Sequence, residues 1–370
     1  MRILITGADG FIGANLRVRL REAGHQDIVS ITRASSSSEL TSGLAGADFV
    51  FHLAGVNRPK ANDEFIQGNR EFTERLCAVL VASGRRTPVV FASSIQATQD
   101  NPYGQSKLAA EAALSRYARE TGASLFMFRL ANVFGKWARP NYNSAVATFC
   151  HNIARSLPIT INDAAAKLRL IHIDVVIDAF LRCLTASGSP SGYAEAGPVY
   201  ETTVGEVADA IRSFFDSRET LLSPSVGVGL GRALYATYTS YLPVSAFSYK
   251  VPQYCDPRGS FVEVLKTPDC GQFSYFTAGP GITRGEHYHH SKTEKFVVLQ
   301  GTARFGFRQI ETGESHQITV RGGEGTIVES IPGWAHDITN IGGDELIVLL
   351  WANEIFDRAR PDTIAMKVVP

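Results

Sequence analysis

At 370 residues the chain exceeds the usual size of one domain, so two compact units are the default expectation. Its 36 basic and 36 acidic residues are mixed throughout and cancel, which argues against nucleic acid or an anionic membrane as the main partner and leaves small molecules. No apolar run approaches the roughly 20 residues of a membrane span, Ile3-Leu4-Ile5 is broken too soon by Gly7 for a signal peptide, and Cys77, Cys150, Cys183, Cys255 and Cys270 lack C-x-x-C spacing, so a cytoplasmic protein without disulfides or a thiolate metal site is expected.

The first thirteen residues read as a short apolar strand entering a glycine-rich turn, and Ala14 to Ala23 as an amphipathic helix. Gly7, Gly10 and Gly13 fit a nucleotide-binding turn. The first glycines let the backbone bend and approach a pyrophosphate, the last lets helix pack on strand, and the helix start offers unpaired N–H groups to the anion. A second strand, Ile28 to Thr32, ends in Thr32-Arg33 and the run Ser35 to Ser38, where an acidic residue would bind the ribose hydroxyls of NADH. Arginine with hydroxyls suits a 2′-phosphate, so NADPH is expected. Residues 50–55 and 88–94 read as two further buried strands, with helix around Phe65 to Ala82 between them. The alternation predicts a doubly wound parallel α/β sheet whose carboxyl strand ends carry Gly7, Arg33, Ala54 and Ser94. Tyr103 and Lys107 then stand four apart, on one face of an Ala-rich helix. An ammonium beside a phenol favours phenolate, which brings proton transfer by tyrosine toward neutral pH.

Thr6-Gly7-x2-Gly10-x2-Gly13, His52-Leu-Ala-Gly55, Ser94, Tyr103-x3-Lys107, the run from Phe128 to Gly135 and Arg169-Leu-Ile-His-Ile-Asp174 occur in the order found in extended short-chain dehydrogenase/reductases acting on nucleotide sugars. The resemblance covers residues 1 to about 240. It implies a Rossmann-type fold and assigns Tyr103 as proton donor or acceptor, Lys107 as ribose ligand and modulator of the tyrosine, and Ser94 as a hydrogen bond to the reacting oxygen. It makes Gly7, Gly10, Phe11, Ile12, Gly13, Thr32, Arg33, Leu53, Ala54 and Lys107 the cofactor-binding set. Asn69 would support the lysine from the middle helix, and Asn132 and Arg169 would contact the substrate, the arginine at its diphosphate. Ser94-Ile95-Gln96 lacks the acid and base that sugar 4,6-dehydratases of the family carry there, so hydride transfer at a carbonyl is expected rather than water elimination. Only nine positions separate Ser94 from Tyr103, which predicts an open sugar pocket on that side.

Residues 186 to 243 lose the regular pattern, apart from a strand near Val199 and a helix from Val204 to Phe215; residues 227 to 241 fit either a helix or a linker. Pro243 to Pro252 marks the expected boundary between a domain at 1–243 and one at 244–370. Beyond it, short strands with Gly and Asp turns predict an all-β sandwich or barrel. His287 and His289, two apart on a strand, share a face; Glu294 across a turn and His336 further on complete a ligand set that suits a borderline divalent ion, zinc first and iron, nickel or manganese next.

The runs Gly281 to Gly301 and Gly325 to Asn340 resemble the two cupin motifs, with the proline of the second displaced to Pro332, and this implies a jelly-roll fold. Asp256-Pro-Arg258-Gly-Ser-Phe261-Val-Glu263 and Arg284-Gly-Glu-His287-Tyr also resemble the sugar-nucleotide 3,5-epimerases of the cupin superfamily. In those the matching histidine is a catalytic base and the arginines, here Arg258 and Arg284, grip the diphosphate. His287 is thus either a metal ligand or a base, and the presence of His289 and Glu294 favours the ligand. In whole-chain order the sequence resembles the bifunctional nucleotide-sugar enzymes of bacterial capsule and O-antigen synthesis. That implies C3 epimerisation of a UDP-linked 4-keto-6-deoxy sugar, then NADPH reduction at C4 to UDP-2-acetamido-2,6-dideoxy-L-talose on the route to UDP-N-acetyl-L-fucosamine. The rival expectations are a reductase with a non-catalytic metal-binding cupin for dimerisation and a nucleotide sensor without turnover. A homodimer is expected, since sandwich cupins often pair through exposed strands.

Overall fold

A computed structural model describes residues 1–59, 61, 63–186, 192–256, 259–262, 265, 271–354 and 359–369. By compactness the chain divides into Met1–Val133 with Arg169–Glu201, and Phe134–Leu168 with Thr202–Pro370. By compactness the helices of 134–168 and 202–243 group with the carboxyl-terminal β structure.

The first unit is built on a six-stranded parallel sheet. Strands β1 (Ile3–Thr6), β2 (Ile28–Ile31), β3 (Phe49–His52), β4 (Val89–Ser94) and β5 (Leu125–Leu130) stand in the order β2-β1-β3-β4-β5, with Gly192–Ala194 at the far edge. β1, β3 and nearly all of β4 are buried, so they read as continuous apolar runs rather than alternating ones. Apolar residues fill both faces, Ile3, Ile5, Phe51 and Phe180 in one core and Leu4, Val50, Leu80 and Leu114 in the other. The strand order reverses between β1 and β3, and ligands of such sheets bind at the carboxyl ends of that pair. Two contacts shape the crevice there. Gly7 has φ +68°, and a Cβ on it would meet the Ala54 nitrogen at 2.8 Å; a Cβ on Gly13 would meet the Gly7 carbonyl at 2.3 Å. Helix α1 (Phe11–Glu22) starts at Gly10, which offers no capping side chain, so its first N–H groups stay available to an anion. β2 leads through Arg33 to helix α2 (Ser37–Gly46), capped by a reciprocal Ser36–Glu39 box.

The second unit pairs three helices, Ala145–Ile153, Val204–Thr220 and Gly229–Ser240, with a jelly roll of two five-stranded antiparallel sheets. Residues 227 to 241 are therefore mainly helix. One sheet runs Ser248–Lys250, Thr326–Glu329, Glu294–Gln300, Leu346–Ala352, Gln272–Ala278; the other runs Ser315–Arg321, Thr302–Gln309, Trp334–Asn340, Thr283–Tyr288, Ile364–Ala365. Phe296 and Phe305 meet between the sheets at 5.8 Å. Helix and β structure are joined by a buried ionic triad, in which Arg218 of the Val204–Thr220 helix and Lys295 both bind Glu329. Burial opposes ionisation of all three, yet the carboxylate is held below and the Lys295 ammonium well above their usual ranges, because each charge faces its opposite. Cys77, Cys150 and Cys183 are free and buried.

Candidate functional site

Among the described residues two sites take shape. The first lies on the parallel sheet. Ser94 ends β4 and its Oγ accepts from the Gln96 N–H at 3.1 Å, which winds residues 95–98 into a tight 3₁₀ turn. The next helix, Pro102–Thr121, opens with Asn101 capping the Gly104 N–H and with Pro102 in its first turn, so Tyr103 stands at the helix mouth. Its phenol is half-buried beside Phe65 and interacts with Ser94. Lys107 is buried one turn on and donates to the Ala92 carbonyl at 2.9 Å.

The expected phenolate is not what this geometry favours. Burial raises the Tyr103 phenol above its ordinary value, with Ser94 opposing, while burial pushes the Lys107 ammonium down to about 8 and Glu111 opposes that. The ammonium donates to the Ala92 carbonyl, and desolvation is the largest cause of both shifts.

Asn69 does support the lysine's surroundings. Its Oδ1 accepts from the Val56 N–H at 2.8 Å, and its amide donates to the Val56 carbonyl and to Ser106 Oγ at 3.0 and 2.9 Å. It sits in a π-helical turn, Ile66–Glu71, before the Phe72–Ala82 helix, a distortion common at functional sites and absent from the expected regular helix. A buried chain of hydrogen bonds joins this turn to the glycine turn. Thr6 Oγ1 accepts from the Leu53 and Ala54 N–H groups, so its proton goes to His52 Nδ1 at 2.8 Å; His52 Nε2–H donates to Thr73 Oγ1 at 2.8 Å, which donates to the Asn69 carbonyl. Burial first, then Lys107, holds His52 down to about 3, so it stays neutral.

Of the residues expected to bind the cofactor, Gly7, Leu53 and Ala54 lie at the β1 and β3 ends, Gly10 to Gly13 at the start of α1, Thr32 and Arg33 after β2 with Arg33 exposed, and Lys107 on the Pro102–Thr121 helix. Asn132 is exposed beyond β5, and Arg169 is exposed with Glu201 at 3.9 Å rather than paired to Asp174. Arg258 lies outside the described residues. Arg284 is exposed, its guanidinium over Phe276.

The second site is in the jelly roll. His287, His289, Glu294 and His336 each offer a ligand atom, and these lie within 4.8 Å of one another. A β-bulge puts His287 there. The pairs Thr283–Thr339, Arg284–Ile338 and Gly285–Asp337 would continue to Glu286 opposite His336, but Gly285 and Glu286 take left-handed φ of +96° and +56°, and His287 arrives opposite instead. The His287 Nδ1–H donates to the Gly285 carbonyl at 3.0 Å, and the His289 Nδ1–H to the Asp362 carbonyl, so both Nε2 lone pairs are left free. His289 Nε2 is then 3.0 Å and His336 Nε2 3.4 Å from Glu294 Oε2. Lone pair facing carboxylate at 3.0 Å requires a proton or a cation between them, so the residues fit a divalent ion. Burial and the other two imidazoles hold His287 down to about 3; burial would raise Glu294, but His289 and His336 outweigh it and keep the carboxyl well below its usual range. Sequence reasoning missed Lys292, whose ammonium is 3.1 Å from the other Glu294 oxygen, and Asp362, which no motif signals.

Residues 3–194 match the NAD dependent epimerase/dehydratase family, and residues 254–364 match the polysaccharide biosynthesis C-terminal domain. The chain belongs to the NAD dependent epimerase/dehydratase family. Its members use a nicotinamide cofactor. Within this family the chain is 52% identical, over 100% of its length and 99% of the relative's, to a UDP-2-acetamido-2,6-beta-L-arabino-hexul-4-ose reductase of Pseudomonas aeruginosa. It also resembles the capsular polysaccharide assembling protein CapF of Staphylococcus aureus, with TM-score 0.69, 39% identity and 100% of both chains covered. MoeE5 in complex with UDP-glucose and NAD matches 59% of this chain and 82% of its own, with TM-score 0.51 and 25% identity. Among the described residues no helix is long and apolar enough to cross a membrane.

Proposed function

We propose that this chain is a bifunctional nucleotide-sugar enzyme. Its substrate is UDP-2-acetamido-2,6-dideoxy-L-arabino-4-hexulose, which it epimerises at C3 and then reduces at C4 to UDP-2-acetamido-2,6-dideoxy-L-talose. One observation carries the reading: His287, His289, Glu294 and His336 converge in a chain that matches, end to end, a relative named for reducing a 4-keto UDP sugar.

The order follows from the substrate's chemistry. The C4 carbonyl acidifies the hydrogen on C3, and reduction removes that carbonyl, so the proton at C3 leaves and returns on the opposite face first. A divalent ion, for which we favour zinc, would be held by the three imidazoles and Glu294 and would supply Lewis acidity toward the substrate oxygen. At the other site the Tyr103 phenol gives its proton to the C4 oxygen, Ser94 donates a hydrogen bond to that oxygen, and Lys107 holds the cofactor ribose. NADPH supplies the hydride at C4. The exposed Arg33 before the amino terminus of α2 supports NADPH over NADH. Residues 1–243 serve the reduction and residues 244–370 the epimerisation, in a homodimer.

A second reading is favoured by the relative's name, which mentions reduction alone. There the β domain binds metal and mediates dimerisation without catalysis. Incubation with the keto sugar in deuterium oxide without NADPH separates the two: we expect deuterium at C3, and its absence alongside normal NADPH oxidation would leave the second reading. Failure to oxidise NADPH with this sugar would remove both.

A further inference from the structure

The carboxyl-terminal segment runs beside the whole stretch that carries the first two imidazoles. The Met366 N–H donates to the Glu286 carbonyl at 2.8 Å, across from the bulge; Ala365 and Ile364 pair with His287 and Tyr288; and Thr363 Oγ1 is 3.4 Å from the Lys292 ammonium. Asp362 closes the series from two sides at once. Its carbonyl accepts the His289 Nδ1 proton. Its carboxylate accepts three successive backbone N–H groups, His290 at 2.8 Å and Ser291 and Lys292 at 2.7 Å each, and the Ser291 hydroxyl at 3.1 Å. These groups form the turn that joins His289 to Glu294. Four donors on one carboxylate, most of them main-chain, hold that turn in a single conformation.

We propose that Asp362 is the positioning residue of the metal centre. Resting on the metal reading above, it fixes the His289 tautomer and ring plane through its main chain and sets the distance from His289 to Glu294 through its side chain. A partner that orients a ligating histidine commonly changes metal affinity by about 10- to 100-fold when removed.

The test compares the full-length protein with Asp362→Ala and Asp362→Asn. Zn²⁺ affinity is measured by competition with a chromophoric chelator, and ligand geometry by the visible spectrum after loading with Co²⁺. NADPH binding reports on folding of the nucleotide-binding unit, and the intrinsic tryptophan fluorescence on the β domain. We expect Asp362→Ala to bind Zn²⁺ 10- to 100-fold more weakly with a shifted and broadened Co²⁺ band. Asp362→Asn, which keeps one acceptor oxygen, should fall between, both with unchanged tryptophan fluorescence. Wild-type affinity and an unaltered Co²⁺ band in Asp362→Ala would overturn the inference while leaving the metal reading standing. Weak Zn²⁺ binding accompanied by loss of the native fluorescence in both variants would also overturn it, since the aspartate would then serve folding alone. A wild-type protein that takes up neither metal would overturn the metal reading itself.

Discussion

A Cβ on Gly55 would stand 3.3 Å from Lys107 Nζ and 2.9 Å from Asn69 Oδ1, so the main chain after β3 closely approaches both side chains. A methyl group there would force the Asn69 side chain to shift. Gly55→Ala is expected to push Asn69 and Lys107 outward and to slow NADPH oxidation on the order of 10²-fold, as small displacements of positioning groups do. Zinc uptake by the β domain should be unchanged in this variant; a normal reduction rate would show that the lysine tolerates the shift.

Separate sites imply separable losses. Tyr103→Phe removes the proton for the C4 oxygen and is expected to cut reduction by about 10²- to 10⁴-fold while deuterium still enters C3. His336→Ala should abolish exchange at C3 and leave the NADPH site able to bind cofactor. Loss of C3 exchange in Tyr103→Phe, or loss of NADPH binding in His336→Ala, would contradict two independent sites.

Lys107 gives a pH signature. Its folded-state value, about 8, lies below the ordinary 10.5, so between these pH values the unfolded chain binds more protons and stability rises with pH. Below about pH 8 the full penalty of the buried ammonium applies, on the order of 3 kcal/mol. Buried tyrosines and cysteines titrate in the opposite sense at high pH, so the quantity to measure is the difference in unfolding free energy between wild type and Lys107→Met, by urea denaturation from pH 7 to 10. That difference should shrink steadily in wild type's favour as pH rises; a flat difference would mean the amine is solvated.

The triad in the second unit should be costly to break. Glu329→Gln leaves Arg218 and Lys295 facing each other without a counter-charge in a buried position, an expected loss of about 3–5 kcal/mol seen as a lowered denaturation midpoint of the β domain. A change below about 1 kcal/mol would indicate that water reaches the pair.

The parallel sheet was legible because its strands are short apolar runs bounded by glycine, and because Tyr103 and Lys107 are fixed relative to each other by helical spacing. The convergence of His287, His289, Glu294 and His336 was equally legible, since alternation on strands and motif spacing both select them. What could not be read were features whose cause lies far along the chain. The π-turn at Ile66–Glu71 depends on Asn69 being held by Val56 and Ser106. The seat of Asp362, in turn, is created by strand pairing with residues more than seventy positions earlier. The protonation of Tyr103 was misjudged for a related reason: helical spacing shows which groups are neighbours but not how much water each retains, and burial decided the sign.

The bulge at Gly285 and Glu286 makes the character of the centre a matter of counting. Closing the bulge without removing a residue would continue the regular pairing to Glu286 and present a carboxylate opposite His336 where an imidazole now stands. A centre of three nitrogens and one oxygen would become an even mixture, harder in its donor character and better matched to manganese than to zinc. Two jelly rolls of the same length and composition can therefore prefer different elements through a difference in strand register alone.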